Sequence, residues 1–486
     1  MNSLPLYKLF IDGKFIDTPD HYDVSYPYSG AKVATVARAG ADEMESAVAS
    51  AARAFQKTRN LTRAERAEIL AAISRRVDER RDEFERAITL GTGKPIGYAR
   101  AEVSRTIGVF QLASEEARRF GGSYEPLDLD PLHPGAVGIV ERRPLGPIAA
   151  IAPFNFPLNL VTHKVAPALA TGNSVVVKPP PQCPAPALQL AEIAFQAGLP
   201  AGAFNVISAD PPVAERLATD DRFRLLSFTG SAKVGWALKA KSGRQRVVLE
   251  LGGNGGLIVD ETADVALAAA RAARGAFVHA GQVCLSVQRI FVHRDVYPAF
   301  VDRFVDETTK LRVGDPMNEE TLVGPLINAE AATRVMDWID EAKRAGAKVL
   351  SGGRRDGDVV WPTIIELTRP EHHRLRVWSE EVFGPVATVE SINSFEDGLR
   401  RVNDSPYGLQ AGVFTTDLGR AFAAFREIDV GAVIVGETGV FRVDTYPFGG
   451  TKGSGLGREG VRWAMEEMSE PRMLVLNLPR GGTERR

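Results

Sequence analysis

The feature of the sequence that most limits its fold is an alternation of short apolar runs with helical patterns between Gly146 and Glu250. In chain order the apolar runs are PIAAIAP, SVVVK, FNVI, RLLSFTG and VVLELGG, and helices are predicted from about Leu158 and Ala185. Apolar runs separated by helices of roughly 10 to 15 residues are typical of βαβ units, whose parallel strands are buried on both faces. The pattern predicts a doubly wound, Rossmann-like α/β domain with a parallel sheet.

A second alternation begins after Glu250 with the strand GLIVD, the helix ADVALAAARAARGAF and the strand RIFVH. It predicts a second α/β domain, which would carry the catalytic residues. The stretch from about Gly121 to Val140 is rich in Gly, Pro and Asp, and the tail contains the alternating run RMLVLNL. Strands that leave a compact domain usually pair with another surface, so we predict a small β oligomerisation arm.

Long helices precede the first sheet, and one of them starts at Thr62, where Thr62 and Glu65 have the spacing of a capping box. These patterns together predict the following division of the chain: 1–120 and 141–247 for a cofactor-binding domain, 248–430 for a catalytic domain, 121–140 and 470–486 for the oligomerisation arm, and 431–469 for a return segment that lines the active site.

Composition excludes several classes of function. The 486 residues include 59 basic and 61 acidic side chains, so no excess of positive charge favours nucleic acid as a partner. No apolar run reaches the ~20 residues of a membrane span, and the N-terminus lacks a cleavable apolar segment, which predicts a cytoplasmic protein without a membrane partner. The two cysteines, Cys183 and Cys284, are too few for a disulfide framework.

The run FVHAGQVC ends a helical pattern at Gly281 and places Cys284 just beyond it. A thiolate is a strong nucleophile if it is exposed and its pKa is lowered. Taken alone, a single cysteine in an apolar run is more often a small buried side chain, so other residues must decide between the two interpretations.

Two polar residues stand in or after apolar strands, where the ligands of open α/β sheets usually bind. Glu250 in VVLELGG is costly to bury unless it is paired or functional, and it suits a general base that activates water. An ion pair with Arg246 is the alternative. Asn155 in IAPFNFP could donate to an oxyanion, although an asparagine that stabilises a turn is also consistent with this segment.

Phosphate recognition is suggested by two further strand ends. Lys178 ends the strand VVVK, and Gly230 and Ser231 in FTGSAKVG lead from a strand into a helix. Free amides at a helix N-terminus, together with the helix dipole, form a suitable cradle for phosphate, although such turns also occur without a ligand.

Taken in this order, these segments resemble the aldehyde dehydrogenase superfamily over nearly the whole chain. LELGG with Glu250 and FVHAGQVC with Cys284 resemble the two active-site signatures of the family. The resemblance implies that Cys284 attacks the aldehyde, that Asn155 and the Cys284 amide hold the oxyanion, and that Glu250 activates the water that hydrolyses the thioester. It also implies NAD or NADP as the cofactor and a homodimer or homotetramer.

The resemblance implies roles for further residues. Lys178 would bind the adenosine ribose, Glu381 in SEEVFGP the nicotinamide ribose, and Glu459 in GLGREG would act with Lys178 in relaying protons from Glu250. Surface ion pairs are the alternative for each of these three. The complete set that it assigns to cofactor binding is Ile151, Pro153, Phe154, Lys178, Pro181, Gly230, Ser231, Val234, Leu251, Glu381 and Phe383.

Cofactor choice depends on a departure from the family pattern. Members that are strict for NAD usually carry Glu three residues after the ribose-binding lysine, and here that position is Pro181. No carboxylate there repels a 2′-phosphate, so we predict that NADP is tolerated. Asp210-Pro-Pro212 replaces glycines that many relatives have near the adenine side, which leaves the details of that pocket open.

Two arginines are candidates for a substrate anion site. Arg105 in AEVSRTIGVF and Arg442 in GVFRVDTYPFGG fall where the family lines its substrate tunnel. These segments most resemble the lactaldehyde and non-phosphorylating glyceraldehyde-3-phosphate dehydrogenase branch, and guanidinium groups suit carboxylate, phosphate or sulfonate. A short polar or anionic aldehyde is therefore predicted. Pairing of Arg105 with Glu102, or of Arg442 with Asp444, is the alternative, and Val283 in place of Arg weakens the case for phosphate specifically.

Other functions fit the sequence less well. A CoA-acylating semialdehyde dehydrogenase would often lack the base Glu250, and a catalytically silent structural relative would not need Cys284, Glu250, Asn155 and Lys178 together. A Cys-His hydrolase built on His279 and Cys284 lacks an evident orienting group. The spacing of GLGREG resembles a dinucleotide fingerprint but follows no strand. His372 and His373 are adjacent and have no partner pair, so no metal site is predicted.

Overall fold

The structure is a computed structural model that describes residues 4–129 and 131–477. The predicted arm residues 478–486 lie outside the described residues. The helices are α1 Ala41–Thr58, α2 Arg63–Glu79, α3 Arg81–Thr92, α4 Ile96–Arg119, α5 Asn159–Thr171, α6 Ala185–Gln196, α7 Pro211–Ala214, α8 Arg216–Thr219, α9 Ala232–Lys241, α10 Val265–Phe277, α11 Tyr297–Thr309, α12 Ala329–Arg344, α13 Arg376–Ser379, α14 Phe395–Asn403, α15 Leu418–Glu427 and α16 Val461–Glu467.

The strands follow the same chain order. They are β1 Leu6–Tyr7, β2 Leu9–Ile11, β3 Lys14–Ile16, β4 His21–Ser25, β5 Lys32–Ala37, β6 Tyr124–Pro126, β7 Val137–Pro144, β8 Ile148–Ile151, β9 Val175–Lys178, β10 Phe204–Val206, β11 Leu225–Thr229, β12 Arg246–Glu250, β13 Gly255–Val259, β14 Val287–His293, β15 Lys348–Ser351, β16 Arg355–Asp356, β17 Val359–Val360, β18 Thr363–Glu366, β19 Val386–Ile392, β20 Tyr407–Gly408, β21 Gln410–Phe414, β22 Ala432–Val435, β23 Thr451–Lys452, β24 Gly455–Leu456 and β25 Ser469–Leu476.

The first large sheet has the strand order β24-β12-β11-β8-β9-β10-β2-β3. Its five central strands, β12, β11, β8, β9 and β10, are parallel and are the five apolar runs of the sequence. They are buried on both faces because helices such as α5 and α6 cover one side and α1 the other. The predicted Rossmann-like α/β sheet is thus confirmed.

The second large sheet has the order β15-β18-β19-β14-β13-β21-β22. All of its neighbouring strands are parallel except the edge pair of β15 and β18. It forms a separate hydrophobic core with α10, α11 and α12. The second α/β unit is therefore present, and its last strand, β22, lies just after residue 430.

A three-stranded antiparallel sheet, β25-β7-β6, contains the predicted arm segments. Apolar side chains of this sheet are exposed: Tyr124 64%, Met473 49%, Leu474 55% and Val475 53%. Apolar residues this exposed, on a sheet with an open edge, are typical of a surface that pairs with a partner. The domain boundaries given above stay predictions.

Of the long helices before the first sheet, α2, α3 and α4 pack on the side of α5 and α6, and α1 packs on the other side. Helix α2 begins as predicted, since Thr62 accepts a hydrogen bond from the Glu65 amide and the Glu65 carboxylate accepts one from the Thr62 amide. Within the described ranges, no helix is long and apolar enough to cross a membrane.

The register of the first sheet brings several polar residues to one edge. Thr229 lies beside Glu250, Phe228 beside Ile151, and Ile151 beside Lys178. Because the four parallel strands β12, β11, β8 and β9 all end here, their carboxyl ends form a continuous edge that faces the second sheet. The fold therefore places ligands where open α/β sheets usually bind them.

Candidate active site

A cavity of about 560 Å³ lies between the edge of the first sheet and the segments that precede and follow the second sheet. It contains predicted catalytic, substrate and cofactor residues together. The lining residues that carry polar or reactive groups are Arg105, Asn155, Asn159, Thr229, Ser231, Glu250, Cys284, Arg334, Glu381, Arg442 and Glu459. A volume of this size is typical of a small-molecule site.

Cys284 reaches this cavity through a strained turn. Helix α10 ends at Phe277, and His279 and Ala280 in the following 3₁₀ turn have φ values of +49° and +54°. The turn redirects the chain so that the partly exposed Cys284 faces the cavity. Residues in left-handed conformation cost free energy and often occur where function requires a particular side-chain position.

The two glycines of LELGG are required by close approaches. A Cβ on Gly253 would lie 2.3 Å from the Cys284 carbonyl oxygen, and one on Gly252 would lie 2.2 Å from Oε2 of Glu381. Both positions thus allow the strand end to contact the nucleophile segment and the Glu381 carboxylate directly. This packing explains physically why glycine follows Glu250 and Leu251.

The site around the thiol provides two hydrogen-bond donors for an oxyanion. Asn155 is 3% exposed and lines the cavity, and its Nδ2 donates no hydrogen bond to the described residues. The Cys284 amide also donates no hydrogen bond within the described part of the chain. An amide side chain and a free backbone N–H beside a nucleophile are the components of an oxyanion hole.

Burial opposes ionisation of the nucleophile. It raises the pKa of Cys284 to about 12, with Glu381 acting in the same direction and Arg442 acting against it. The thiol is therefore neutral in this state, and reaction requires a base to remove its proton.

Glu250 is placed to act as that base and as the base for water. Its carboxylate is buried, and neither oxygen has a hydrogen-bond partner in the described structure. Burial, followed by the charge of Glu459, raises the pKa of Glu250 well above its usual value. The alternative ion pair between Glu250 and Arg246 does not form, because the Arg246 guanidinium donates instead to the carbonyl oxygen of Ser469. A buried, unpaired carboxylate with a raised pKa suits proton abstraction near neutral pH.

Glu459 is also buried, but it has a cationic partner. Lys164 Nζ lies 3.0 Å from its Oε1 and is further bonded to Ser227 Oγ at 3.1 Å and to Thr229 Oγ1 at 2.7 Å. Burial opposes ionisation of Glu459, but Lys164 and neighbouring cations outweigh it and lower the pKa of this carboxyl. Of the two carboxyl groups, Glu459 thus ionises more readily, and Glu250 is the stronger base.

The prediction that Lys178 takes part in the proton relay is wrong. Lys178 ends β9, whereas Glu250 ends β12, and two strands separate them in the sheet. Three strand spacings of about 4.8 Å put the two positions roughly 14 Å apart, which is too far for proton transfer between them. The lysine beside Glu459 is Lys164, on the helix α5 that packs over the sheet.

Lys178 instead lines a separate cavity of about 100 Å³ with Pro181, Arg38 and Asp210. Its ammonium group makes no hydrogen bond or ion pair with the described residues, and burial lowers its pKa. Arg38 is paired with Asp210 in the same cavity. An unpaired, largely buried lysine with a free donor group fits the predicted ribose site.

The predicted cofactor residues are distributed over both cavities. Pro153, Phe154, Gly230, Ser231, Leu251, Glu381 and Phe383 line the larger one, Lys178 and Pro181 line the smaller one, and Ile151 and Val234 line neither.

The predicted phosphate cradle needs a correction at Gly230. The Gly230 amide donates to the Glu250 carbonyl at 3.1 Å, so this N–H is not available to a phosphate. Ser231 caps α9 and makes no side-chain cap hydrogen bond. The first turn of α9, from Ser231 onward, therefore remains the candidate for binding phosphate.

Glu381 lines the larger cavity together with Cys284. Its Oε1 accepts a hydrogen bond from the Gly253 amide at 3.0 Å, and burial raises its pKa to about 7. Phe383 has φ +45°, and its ring packs edge-on against that of Phe154 at 5.9 Å. The pair forms an apolar wall next to a carboxylate, which fits a planar ring carrying a ribose.

The two substrate arginines have different environments. Arg105 is paired with Asp444, Nη2 to Oδ1 at 2.6 Å, and not with Glu102, whose partner is Lys94. Arg442 is 9% exposed, and its guanidinium lies 3.5 Å from the centroid of the Phe448 ring.

Arg442 has two long ion pairs and no hydrogen bond to a carboxylate. Its Nε lies 3.7 Å from Asp444 Oδ1 and its Nη2 lies 3.7 Å from Glu459 Oε2, so the alternative pairing with Asp444 is present as a long contact. Its Nε makes no hydrogen bond with the described residues, whereas Arg105 is hydrogen-bonded to Asp444.

Sequence reasoning missed Lys164, His163 and Arg334, and it named Asp444 only as a partner of Arg442. His163 Nε2 lies 3.0 Å from Asp444 Oδ1, beside Arg442. The signal for the first two was visible, since a His-Lys pair interrupts the otherwise apolar helix NLVTHKVAPALAT, and a buried charge needs a partner.

The alternative built on His279 is not supported. The ring of His279 is buried away from the cavity, both of its nitrogens lack partners among the described residues, and burial lowers its pKa well below the usual value. In residues 4–129 and 131–477, no three His, Cys, Asp or Glu side chains come together as a metal site requires.

Comparison with known proteins decides the family. Residues 15–474 match the model of the aldehyde dehydrogenase family. The chain belongs to the aldehyde dehydrogenase family. It is therefore an NAD(P)-dependent oxidoreductase, and the resemblance inferred from LELGG and FVHAGQVC is confirmed.

Individual relatives show the same relationship. The chain is 41% identical over 473 residues to a 3-sulfolactaldehyde dehydrogenase of Priestia megaterium, covering 97% of this chain and 98% of that protein. Its fold matches aldehyde dehydrogenase 21 of Physcomitrella patens in complex with the reaction product succinate, with TM-score 0.95, 39% identity and 98% coverage of both chains. It also matches the glyceraldehyde-3-phosphate dehydrogenase GapN of Methanocaldococcus jannaschii complexed with NADP, with TM-score 0.91, 35% identity and coverage of 95% and 100%. The predicted branch is thus also confirmed.

Proposed function

We propose that this aldehyde dehydrogenase oxidises a short anionic aldehyde to the carboxylate, with Arg442 as the main anion-binding residue. The observation that carries the proposal is the buried, incompletely neutralised Arg442 guanidinium in the same cavity as Cys284. A buried guanidinium whose carboxylate contacts are long and whose Nε makes no hydrogen bond is costly, and a bound anion would supply the missing hydrogen bonds. The similar 3-sulfolactaldehyde dehydrogenase and the succinate complex of aldehyde dehydrogenase 21 also concern short acids or their aldehydes.

The residues of the cavity account for the chemistry in two stages. In the first, Glu250 takes the proton of Cys284, the thiolate forms a C–S bond with the carbonyl carbon, and Asn155 and the Cys284 amide donate to the oxygen that gains the electron pair. The bound NAD(P)+ supplies the acceptor for the hydride that leaves this carbon, which produces a thioester on Cys284.

In the second stage Glu250 removes a proton from water, which attacks the thioester carbon. The C–S bond breaks, the carboxylic acid leaves, and Cys284 regains its proton. Glu459 and Lys164 adjoin Glu250 and provide the route by which its proton moves away from the cavity. The unpaired Glu250 favours water over CoA as the acyl acceptor, and equal turnover with and without CoA would be expected.

The charges in the small cavity are compatible with the adenosine ribose of either cofactor. Pro181 supplies no carboxylate to repel a 2′-phosphate, and the nearest acid, Asp210, is neutralised by its pairing with Arg38. Lys178 offers a free ammonium group to the ribose hydroxyl or to the phosphate. We therefore propose that the enzyme accepts NAD and NADP.

A homodimer or homotetramer is part of the proposal. The exposed apolar residues of β25 and β7, together with the free edges of β25 and β22, are surfaces that a second copy would cover. Sedimentation of the purified chain as a monomer would contradict it.

The test of the substrate class is the ratio of kcat/KM for an anionic aldehyde to that for a neutral aldehyde of equal length. In Arg442→Leu this ratio should fall about ten- to over a hundredfold, because a charge-assisted hydrogen bond is worth about 1.5–3 kcal/mol. Arg105→Leu should lower it less, since Asp444 already neutralises Arg105. A ratio that stays constant in both variants would show that the arginines are structural.

A further inference from the structure

A second cavity lies far from the active site and carries a strong positive charge. Its volume is about 520 Å³, and it is enclosed by the N-terminal part of α2, the last turns of α4 and α5, the end of β7 and the start of β25. It shares no lining residue with the active-site cavity. Helix α5 connects the two, with Asn159 at one cavity and Thr171 at the other, and its 13 residues span about 20 Å.

Five arginines line this cavity: Arg59, Arg63, Arg66, Arg142 and Arg143. Glu141 is the single acidic residue in the lining, and it is paired with Arg143 at 2.8 Å. We call this set of five the arginine cavity. So many guanidinium groups around one space repel one another, which costs free energy unless an anion is present.

Three of the five guanidinium groups lack polar partners. The side chains of Arg59, Arg63 and Arg66 make no hydrogen bond or ion pair within residues 4–129 and 131–477, and Nε of Arg66 is buried without a partner. Burial and then the neighbouring Arg63 lower the pKa of Arg66.

Partly buried arginines elsewhere are paired with carboxylates, in contrast to Arg66, which is also partly buried. Arg222 contacts Asp220 and Glu45, and Arg420 contacts Asp260 and Glu261. The chain thus has carboxylates that pair with arginines elsewhere, and their scarcity is local to the arginine cavity.

The remaining walls fix the position of the cationic groups. Arg142 Nη2 donates to the Glu466 carbonyl at 2.6 Å, its Nε donates to Ser469 Oγ at 3.1 Å, and its guanidinium lies over the Phe120 ring. This arginine is therefore held in place by the fold before any ligand binds. Preorganised guanidinium groups suit the bidentate recognition of phosphate and carboxylate oxygens.

We propose that the arginine cavity binds a small polyanion that carries two or more phosphate or carboxylate groups. A single anionic group could contact one or two of the arginines, whereas the cavity presents three unpaired guanidinium groups in a volume typical of metabolite sites. The same anionic groups could instead belong to acidic side chains of a second copy, because β7 and β25 also form the exposed three-stranded sheet. The free polyanion is favoured because five elements of one chain line the cavity.

The test measures binding of pyrophosphate and citrate by isothermal titration calorimetry at constant ionic strength, with saturating NAD present so that the cofactor phosphate site is filled. Arg63→Gln is the informative variant, since Arg63 is exposed and its loss should not prevent folding. Arg76→Gln is the matched control, because Arg76 is an exposed arginine on the same helix, outside the cavity.

The expected result is saturable binding to the parent protein, at least tenfold weaker binding to Arg63→Gln, and unchanged binding to Arg76→Gln. Binding that is absent, or equal in all three proteins, would overturn the proposal. Sedimentation velocity tests whether the anionic groups belong instead to acidic side chains of a second copy of the chain. If Arg63→Gln dissociates the assembly while neither polyanion binds the parent, the cavity is a contact between subunits and the proposal fails.

Discussion

The buried ion pair between Lys94 and Glu102 offers a quantitative test of how the active-site loop is supported. Both side chains are fully buried. The Glu102 Oε1 also accepts hydrogen bonds from the amides of Leu158 and Asn159, at 2.9 and 3.0 Å. These amides begin α5 directly after the loop that carries Asn155, so Glu102 supports the helix start that positions this loop.

Glu102→Gln keeps an oxygen for the two amides but leaves the Lys94 charge buried without a counterion. Removal of one partner from a buried pair costs about 3–5 kcal/mol. In the double variant Lys94→Met/Glu102→Gln the charge is absent, and the remaining loss should be about 1–3 kcal/mol, the cost of an unsatisfied amide group. The double variant is thus expected to be more stable than Glu102→Gln alone.

The assay is urea unfolding followed by tryptophan fluorescence, with the free energy of unfolding taken from the midpoint at constant m. Where unfolding is irreversible, the unfolding rate replaces the equilibrium value. Glu319→Gln is the control, because it removes a partner of Arg100, which lies on the same helix as Glu102, from an exposed pair and should hardly change the free energy of unfolding. A loss below 1 kcal/mol in Glu102→Gln, or a double variant less stable than it, would refute the reasoning.

Three further predictions concern the reaction. In Glu250→Gln both the deprotonation of Cys284 and the hydrolysis of the thioester lose their base, so rapid-mixing absorbance should show a slow first turnover as well as slow steady turnover, and steady turnover at the parent rate would exclude Glu250 as the base. The negative charge of Glu459 adds to burial in raising the pKa of Glu250, and Glu459→Gln removes this charge. The acidic limb of the plot of kcat against pH should therefore move to lower pH, and an unmoved limb would show that Glu459 does not affect the pKa of Glu250. Pro181→Glu should shift the ratio of NADP to NAD affinity toward NAD, measured by cofactor titration, and an unchanged ratio would place the ribose elsewhere.

Much of the fold could be predicted because its signals are local. The five apolar runs became the parallel strands β8 to β12, since a strand buried on both faces must be apolar throughout. The capping box at Thr62 likewise depends only on residues within one turn of helix. Domain boundaries involve contacts between distant segments: β24, near the C-terminus, pairs with β12 of the first sheet, and nothing in its sequence indicates this partner.

The difference between local signals and contacts between distant segments also explains which site residues could be predicted. Glu250 and Asn155 each stand at the end of an apolar run, where sheet geometry brings side chains together, whereas Cys284 is placed by the turn that follows α10. The availability of the Gly230 amide could not be predicted, because its acceptor is the carbonyl of Glu250, 20 residues away in the sequence and adjacent only in the sheet.

Lys164 was missed because its function depends on packing between a helix and a sheet. Its segment is apolar, which indicates that α5 is buried, and a buried lysine requires an anion together with further hydrogen-bond acceptors. Those partners come from β11 and from Glu459, almost 300 residues later in the chain, and their identity follows only from the fold. Lys178 carries the same charge at a strand end, but the order of strands separates it from Glu250. A lysine can therefore be predicted as buried and paired from sequence, whereas the choice between two such lysines requires the order of the strands.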